Sequence, residues 1–218
     1  MAIIGERWGL FPKLKEWVAE KKPIWGTCAG MILLSDYAIK QAKCGQTLVG
    51  GLDAHVCRNF FGSQIHSCQV EITIDPTSSG IISVPGSDNS NKCPAVFIRA
   101  PAILSIGPDV EILARIVAAP HSSARSDVMK LLEEAKGKLN SITAIMTTIS
   151  ELSIEGNDQP RSKRQRLSKS IPASNTVTGV NESTFEVFVA VRQGNILATA
   201  FHPELTEDTR WHRCVYTY

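Results

Sequence analysis

The feature that most constrains the fold is a cysteine between two glycines, where a predicted strand is followed by a predicted helix. Ile24 and Trp25 begin a short apolar run that breaks at Gly26-Thr27-Cys28-Ala29-Gly30. The apolar residues of 31–39 then predict a buried helix. This order of strand, tight turn and helix is typical of a nucleophile elbow, with cysteine where many hydrolases carry serine.

Such a turn would give Cys28 the properties of a nucleophile. The flanking glycines allow a strained backbone and close packing of the strand against the helix. The positive end of the helix would favour the thiolate, and the Ala29 N–H would point at a developing oxyanion. The alternative is a buried structural cysteine in a glycine-flanked turn, and the elbow by itself leaves both open.

A candidate base follows the last predicted strand, in Phe201-His202-Pro203-Glu204. Residues i and i+2 of an extended segment face the same way, so Glu204 can lie beside His202 and fix the orientation and tautomer of its imidazole. A solvated loop histidine is the alternative for an isolated His-x-Glu. Together with the elbow, the pair supplies a nucleophile, a base and an orienting carboxylate.

The remaining elements follow from the spacing of apolar residues. An amphipathic helix is expected over about 12–21, with Pro12 in its first turn. The other predicted segments are strands over 68–74, 95–99 and 110–117, a loop over 75–94, and a hairpin of 185–191 and 196–201 joined by 192–195. These patterns predict one α/β domain over residues 1–218 with a mostly parallel central sheet.

Charge is distributed unevenly along the chain. The formal net charge of +2 argues against a nucleic-acid binder that works by overall charge. Residues 118–182 lack the rhythm of the rest and are expected to form a disordered or partly helical insertion, with a helix over 126–139. The basic run 161–166 fits a nuclear localisation signal or a phosphate-binding patch, but solvated charges in a linker are favoured.

The cysteine pattern bears on compartment and on metals. Six cysteines without a C-x-x-C spacing predict reduced thiols. The His55-x-Cys57 and His66-x-Cys68 pairs each place two soft ligands on one strand face, but neither has a recognised zinc spacing, so ordinary strand residues are favoured. We expect no cofactor and no metal.

Membrane association is not expected either. No apolar stretch approaches the roughly 18 residues of a membrane span, and the N-terminus carries no secretory pattern. The sequence therefore predicts a soluble, cytoplasmic protein.

Four motifs, in this order along the chain, carry a family resemblance: Gly26-Thr27-Cys28-Ala29-Gly30, Arg58-Asn59-Phe60-Phe61-Gly62, Val96-Phe97-Ile98-Arg99-Ala100-Pro101 and Phe201-His202-Pro203-Glu204-Leu205-Thr206. The chain resembles the glutaminase subunit of pyridoxal 5′-phosphate synthase, in the Sno branch of the class I glutamine amidotransferases. The resemblance covers roughly residues 1–117 and 183–212. Relatives in other pathways generally carry leucine-glycine after the nucleophile, so Cys28-Ala29-Gly30 favours this branch.

The resemblance implies a flavodoxin-like, three-layer α/β fold and the hydrolysis of L-glutamine to L-glutamate and ammonia. Cys28 would be the nucleophile, His202 the acid and base, and Glu204 the group that orients His202. Attack on the side-chain carboxamide would give a glutamyl thioester, which water then cleaves.

The same resemblance implies a binding site and a partner. Arg58, Ile98 and Arg99 match the glutamine-binding positions of the family, where an arginine fork can hold the α-carboxylate in two bonds. The family passes its ammonia to a (β/α)₈-barrel synthase subunit within a hetero-oligomer.

Two departures from the family are expected to matter. Family members normally begin with a strand that carries Leu-Gln-Gly and later have a Pro-Gly-Gly-Glu-Ser loop. Neither segment occurs in this sequence. The N-terminal central strand and the backbone donors of that loop, which bind glutamine and its oxyanion, are therefore expected to be missing here. Loss of an oxyanion donor costs about 10²- to 10³-fold in rate. The competing hypothesis is therefore an inactive form that binds the synthase subunit as a regulatory or structural partner. A thiol peptidase is a distant third, because the arginine motifs would then lack a purpose.

Overall fold

The computed structural model describes residues 2–39, 47–62, 68–75, 91–136 and 185–216. The described helices are α1 (Ala2–Arg7), α2 (Leu10–Ala19), α3 (Ala29–Leu34), α4 (Ser122–Lys136) and α5 (Arg210–Tyr216), with a 3₁₀ turn at Pro203–Leu205. The described strands are β1 (Ile24–Thr27), β2 (Ser35–Ile39), β3 (Leu52–Cys57), β4 (Cys68–Ile74), β5 (Lys92–Phe97), β6 (Ala102–Ile106), β7 (Glu111–Ala118), β8 (Phe185–Gln193) and β9 (Ile196–Thr199). All nine belong to one sheet.

The sheet is mixed, so the prediction of a mostly parallel sheet is wrong. Its order is β2-β3-β6-β8-β7-β4-β5, and β9 joins β8 and carries β1. Among the described strands only the β1–β9 and β2–β3 pairs are parallel, and the other six pairs are antiparallel. Parallel neighbours need a crossover connection, whereas β8 and β9 are joined by a tight turn that reverses the chain.

Several predicted elements are confirmed with shifted bounds. The C-terminal hairpin is present as β8 and β9, with Gly194 at φ 55° in its turn. Helix α2 begins at Leu10, so Pro12 lies in its first turn, as expected. Strand β4 has the predicted bounds, and α4 begins four residues before the predicted helix.

The predicted helix over 31–39 is only partly correct. Helix α3 ends at Leu34, and β2 follows at once and pairs in parallel with β3. The buried Ser35 hydroxyl donates to the Ile32 carbonyl oxygen at 2.8 Å and so satisfies a carbonyl near the end of the helix. Pairing with β3 is a tertiary contact, which the local apolar pattern does not contain.

Other differences concern the middle of the chain. Strand β6 was not predicted, β3 was anticipated only through the strand interpretation of His55 and Cys57, and residues 92–94 of the predicted loop belong to β5. The basic run 161–166 and most of the predicted insertion 118–182 lie outside the described residues, so the insertion stays a prediction. No helix in the described part is long and apolar enough to cross a membrane.

A buried aromatic cluster includes Phe201, the residue that precedes His202. Phe97 and Phe201 pack edge to face with ring centroids 5.8 Å apart, and Phe201 and Trp211 do so at 5.2 Å. All three side chains are fully buried. This cluster joins β5, α5 and the segment that carries His202.

Candidate active site

The elbow, residues 26–30, has the strained geometry that the sequence predicts. Cys28 lies between β1 and α3 with φ 48° and ψ −102°, a conformation that L-residues rarely adopt. Its backbone N–H donates to the Thr199 carbonyl oxygen at 2.8 Å. The elbow is therefore attached directly to the end of β9.

The two glycines of the elbow have different purposes. A Cβ at Gly26 would lie 2.6 Å from the Gly30 carbonyl carbon and 2.7 Å from a Leu34 methyl group, so the close approach of β1 and α3 requires glycine there. A Cβ at Gly30 would meet nothing within 4 Å. The expectation that both glycines permit close packing holds for Gly26 alone.

The Cys28 thiol is half-buried, and its S–H donates to the Ile98 carbonyl oxygen at 3.9 Å. Burial raises the pKa of this thiol above its ordinary value of 9.0 and outweighs the lowering effects of the Ala29 backbone N–H and of the Arg99 charge. The expectation that the helix end favours thiolate at rest is therefore wrong in net effect. The thiol needs a base to remove its proton.

The histidine segment, residues 201–206, contains the candidate base, and its predicted pairing with Glu204 is present. The Nδ1 of His202 lies 2.7 Å from the Glu204 Oε1. Burial acts to raise the pKa of Glu204, but the hydrogen bond and the charge of His202 lower it further, so Glu204 is a carboxylate at neutral pH. Because a carboxylate only accepts, Nδ1 carries the proton and Nε2 is left unprotonated in neutral His202.

The sheet brings the two segments together. Strands β1 and β9 are parallel with Thr27 opposite Thr199, so Cys28 and the histidine segment leave the sheet at the same edge. The end of β5 contacts both: the Val96 carbonyl accepts the His202 N–H at 2.9 Å, and the Ile98 carbonyl accepts the Cys28 thiol. Three chain segments far apart in sequence therefore meet at one edge.

The predicted substrate-binding residues lie on adjoining loops. Arg99 follows β5 with φ 49°, and its charge acts on Cys28. The loop that begins at Arg58 is held to the same segment, because the Phe61 N–H donates to the Ala100 carbonyl at 3.3 Å. Among the described residues, neither guanidinium forms an ion pair with a carboxylate.

The two His-x-Cys pairs, for which ordinary strand residues are favoured over zinc ligands, are only partly described by the structure. The His55 ring stacks on Tyr37 with centroids 4.4 Å apart, and burial lowers its pKa below 6.5. Cys57 is buried, whereas His66 lies outside the described residues. No group of three or more metal-binding side chains occurs where the chain is described.

Sequence reasoning missed the groups that support the site. The Val96 carbonyl accepts the His202 N–H, and the Thr199 carbonyl accepts the Cys28 N–H. Every residue has a backbone carbonyl, so the sequence does not indicate which carbonyls will accept these bonds. His212 also escaped attention as a site residue, although it follows Trp211 soon after the histidine segment. Only the folded chain brings its ring to Trp25, with centroids 5.1 Å apart.

Comparisons with known proteins identify the family and the fold. The model of the SNO glutamine amidotransferase family matches residues 1–129. A solved glutamine amidotransferase structure superposes with a TM-score of 0.54 over 97% of this chain and 69% of that chain. At 24% identity it shows the same fold.

Curated relatives are similar along nearly the whole chain. The "Probable pyridoxal 5′-phosphate synthase subunit PDX2" of Arabidopsis thaliana is 41% identical over 212 residues, which are 97% of this chain and 64% of that protein. The pyridoxal 5′-phosphate synthase subunit PdxT of Archaeoglobus fulgidus is 32% identical over 94% of this chain and 63% of its own length. The chain thus spans less than two thirds of the length of these relatives.

Proposed function

The chain belongs to the SNO glutamine amidotransferase family, and on that basis we propose that it is a glutaminase that hydrolyses L-glutamine to L-glutamate and ammonia for pyridoxal 5′-phosphate synthesis. The observation that carries the proposal is the convergence of Cys28 with the His202–Glu204 pair at one sheet edge. A structural cysteine would not account for the strained backbone at Cys28 or for an oriented imidazole at the same end of the sheet.

In the proposed reaction His202 activates Cys28. The raised pKa keeps Cys28 protonated at rest, and the unprotonated Nε2 of His202 accepts the thiol proton as the sulfur attacks the carboxamide carbon. Glu204 holds the resulting imidazolium in place. The imidazolium then gives its proton to the leaving ammonia, and water hydrolyses the glutamyl thioester.

The remaining residues of the proposed site would bind the charged groups of the substrate and of the tetrahedral intermediate. The Ala29 N–H, which already acts on the Cys28 sulfur, is the proposed donor to the tetrahedral oxyanion. Arg58 and Arg99, with the backbone at Ile98, are the proposed binding site of the glutamine α-carboxylate and α-amino group. The loop that begins at Arg58 is bonded to the segment that carries Arg99 and the Ile98 acceptor of the Cys28 thiol, and an arginine fork fits a carboxylate.

The proposed partner is a synthase subunit. The relatives are named as subunits of pyridoxal 5′-phosphate synthase. Ammonia is lost to solvent unless an acceptor is adjacent, so we propose that the chain docks on a (β/α)₈-barrel synthase subunit as a hetero-oligomer in the cytoplasm.

Glutamate release by this chain, mixed with the synthase subunit from the same source, tests the function. We expect glutamate and ammonia in equal amounts from wild type and none above background from Cys28→Ala. Cys68→Ala is the matched control, because Cys68 is exposed on β4 and outside the proposed site. That variant is expected to keep wild-type activity.

Two outcomes would contradict the proposal. Activity that survives Cys28→Ala would exclude Cys28 as the nucleophile. A stable complex with the synthase subunit that releases no glutamate would establish the competing function of an inactive binding partner.

A further inference from the structure

The 3₁₀ turn that carries Glu204 is closed by hydrogen bonds within itself. The Pro203 carbonyl accepts the Thr206 N–H at 3.0 Å and the Thr206 hydroxyl at 2.9 Å. Residues 202–206 therefore form one unit, and the position of the Glu204 carboxylate depends on how that unit is oriented. The contacts that orient it lie outside the turn.

One end of the turn is attached to β5 by a backbone hydrogen bond. The His202 N–H donates to the Val96 carbonyl at 2.9 Å. The neighbouring contact of Phe201 with Trp211 is apolar, and apolar packing has no preferred direction. The Glu204 side chain is 49% exposed, so the outer side of the turn faces water. A second directional attachment is needed to fix the orientation of the turn.

Arg210, the first residue of α5, provides an attachment at the other end of the segment. Its Nη2 donates to the carbonyl of Lys92, the first residue of β5, at 2.5 Å. The same guanidinium binds Asp208, with Nε 3.0 Å from both carboxylate oxygens and Nη2 2.5 Å from Oδ2. The Asp208 Oδ1 also accepts the Arg210 backbone N–H at 3.0 Å. The chain from His202 to Arg210 is thus bonded to β5 near both ends of the strand.

The two charged side chains of this attachment are buried. The Arg210 side chain is 10% exposed and that of Asp208 is 12% exposed. Burial acts to raise the pKa of Asp208, but the hydrogen bonds and the charge of Arg210 lower it further, so both groups are charged at neutral pH.

Stability alone is a poor explanation for a buried ion pair. Removing two charges from water costs free energy that their attraction can fail to recover, and apolar residues of similar volume often stabilise a fold as well or better. Direction is a better explanation, because the planar guanidinium of Arg210 holds three acceptor atoms in one fixed geometry.

Strand β5 also locates the nucleophile. The carbonyl of Ile98, the residue that follows β5, accepts the Cys28 thiol at 3.9 Å. Because the histidine segment is attached to the same strand, a rigid attachment fixes the position of His202 relative to Cys28. A loose attachment would let the two groups drift apart without unfolding the core.

We propose, on the basis of the proposed glutaminase function, that Arg210 is a positioning residue that fixes the far end of the histidine segment to β5. Through Asp208 and the Lys92 carbonyl, it prevents the turn from rotating about its attachment at His202. The Glu204 carboxylate then stays against Nδ1 of His202 and fixes the tautomer with Nε2 unprotonated. Arg210 acts through the turn and does not touch the substrate.

A double substitution separates positioning from stability. Asp208→Asn with Arg210→Met removes both charges and the bond to Lys92, while the asparagine oxygen can still accept the N–H at the start of α5. With the synthase subunit present, we expect kcat for glutamate release to fall about tenfold, with an unchanged KM and a urea unfolding midpoint close to wild type. A kcat within about twofold of wild type would overturn the proposal.

The ion pair of Arg192 with Glu111 provides a matched control. It joins β8 to β7, with Nη2 2.5 Å from Oε2 and the Arg192 side chain 15% exposed. Arg192 lies beside the hairpin turn, whereas the candidate site adjoins the other end of β9, at Thr199. Glu111→Gln with Arg192→Met is expected to keep the wild-type kcat. Equal losses of kcat in the two double variants would overturn the specific role of Arg210.

Arg210→Lys tests the guanidinium itself and keeps the charge beside Asp208. A single ammonium group cannot bind the carboxylate and the Lys92 carbonyl in the same fixed plane. We expect a kcat between those of wild type and the Asp208→Asn, Arg210→Met variant. A full wild-type kcat would show that charge alone is needed and would overturn the role assigned to the fork.

A readout without turnover separates this proposal from the proposed function. Nitrogen-15 NMR of the His202 ring is expected to report a protonated Nδ1 in wild type and a mixture of tautomers in the Asp208→Asn, Arg210→Met variant. Identical His202 spectra in the two proteins would overturn the proposal. A wild-type chain that releases no glutamate but has the expected spectra would contradict the proposed function alone.

Discussion

The elbow and the histidine segment meet at one edge of the sheet but are held in place by different means. The elbow is shaped by its own backbone, because Gly26 allows α3 to approach β1 and Cys28 adopts φ 48° between them. The histidine segment has an irregular backbone, and its position depends on Trp211 of α5 and on the Val96 carbonyl of β5. The shape of the elbow is therefore set by its own residues, although Thr199 anchors it to β9, whereas the histidine segment is held in place mainly by other parts of the chain.

The largest effect is expected from breaking the support of the histidine segment. Trp211→Ala removes a fully buried indole from the cluster that contains Phe201 and is expected to lower the free energy of unfolding by about 3 to 5 kcal/mol. Trp17→Ala is the matched control, because Trp17 is 44% exposed, and a loss of about 1 kcal/mol is expected. Urea unfolding monitored by circular dichroism measures both, and equal losses would refute the assigned role of α5.

A smaller effect is expected from breaking the elbow. Gly26→Ala places a methyl group 2.6 Å from the backbone of Gly30 and is expected to cost about 1 to 3 kcal/mol. Gly30→Ala meets open space in a helix and is expected to stabilise the chain by up to about 1 kcal/mol. Thermal unfolding of the two variants checks the prediction, which fails if Gly30→Ala destabilises as much as Gly26→Ala.

The smallest effect concerns the proton on Cys28 and leaves the fold unchanged. Because burial raises the pKa of this thiol above 9.0, the thiolate fraction at neutral pH is small and keeps increasing above pH 9. The alkylation rate of Cys28 by iodoacetamide, followed by mass spectrometry of its peptide, is expected to rise over the same range. A rate that levels off below about pH 8 would show that the helix end outweighs burial.

Much of the candidate site was predictable from short stretches of sequence. The elbow was recognised because Gly26 and Cys28 follow an apolar run, and the His202–Glu204 contact was recognised because residues i and i+2 share a face. The C-terminal hairpin is also predictable from a short stretch, because its turn and its two strands follow one another directly along the chain. Each of these features depends on residues that are close together in the sequence, so a short stretch of sequence is enough to predict it.

The errors have one physical origin. The segment 31–39 was predicted as one helix, but β2 forms because β3 offers a parallel edge more than ten residues later. The prediction of a mostly parallel sheet is wrong for the same reason. The direction of a strand depends on the strands that it pairs with, and local periodicity does not identify them. Segments whose structure depends on a distant partner were therefore the ones predicted wrongly or missed.

By itself the sequence determined the order and the local geometry of Cys28, His202 and Glu204, because each lies in a pattern of a few residues. Only the tertiary structure determined that burial raises the pKa of the Cys28 thiol by more than the helix end lowers it. It also determined that Val96, Thr199 and His212 support the site, because backbone carbonyls and a ring from α5 reach it only after the sheet has formed. The residue types specify which chemical groups are available. Folding then determines the position of each group through its contacts, and its pKa through burial.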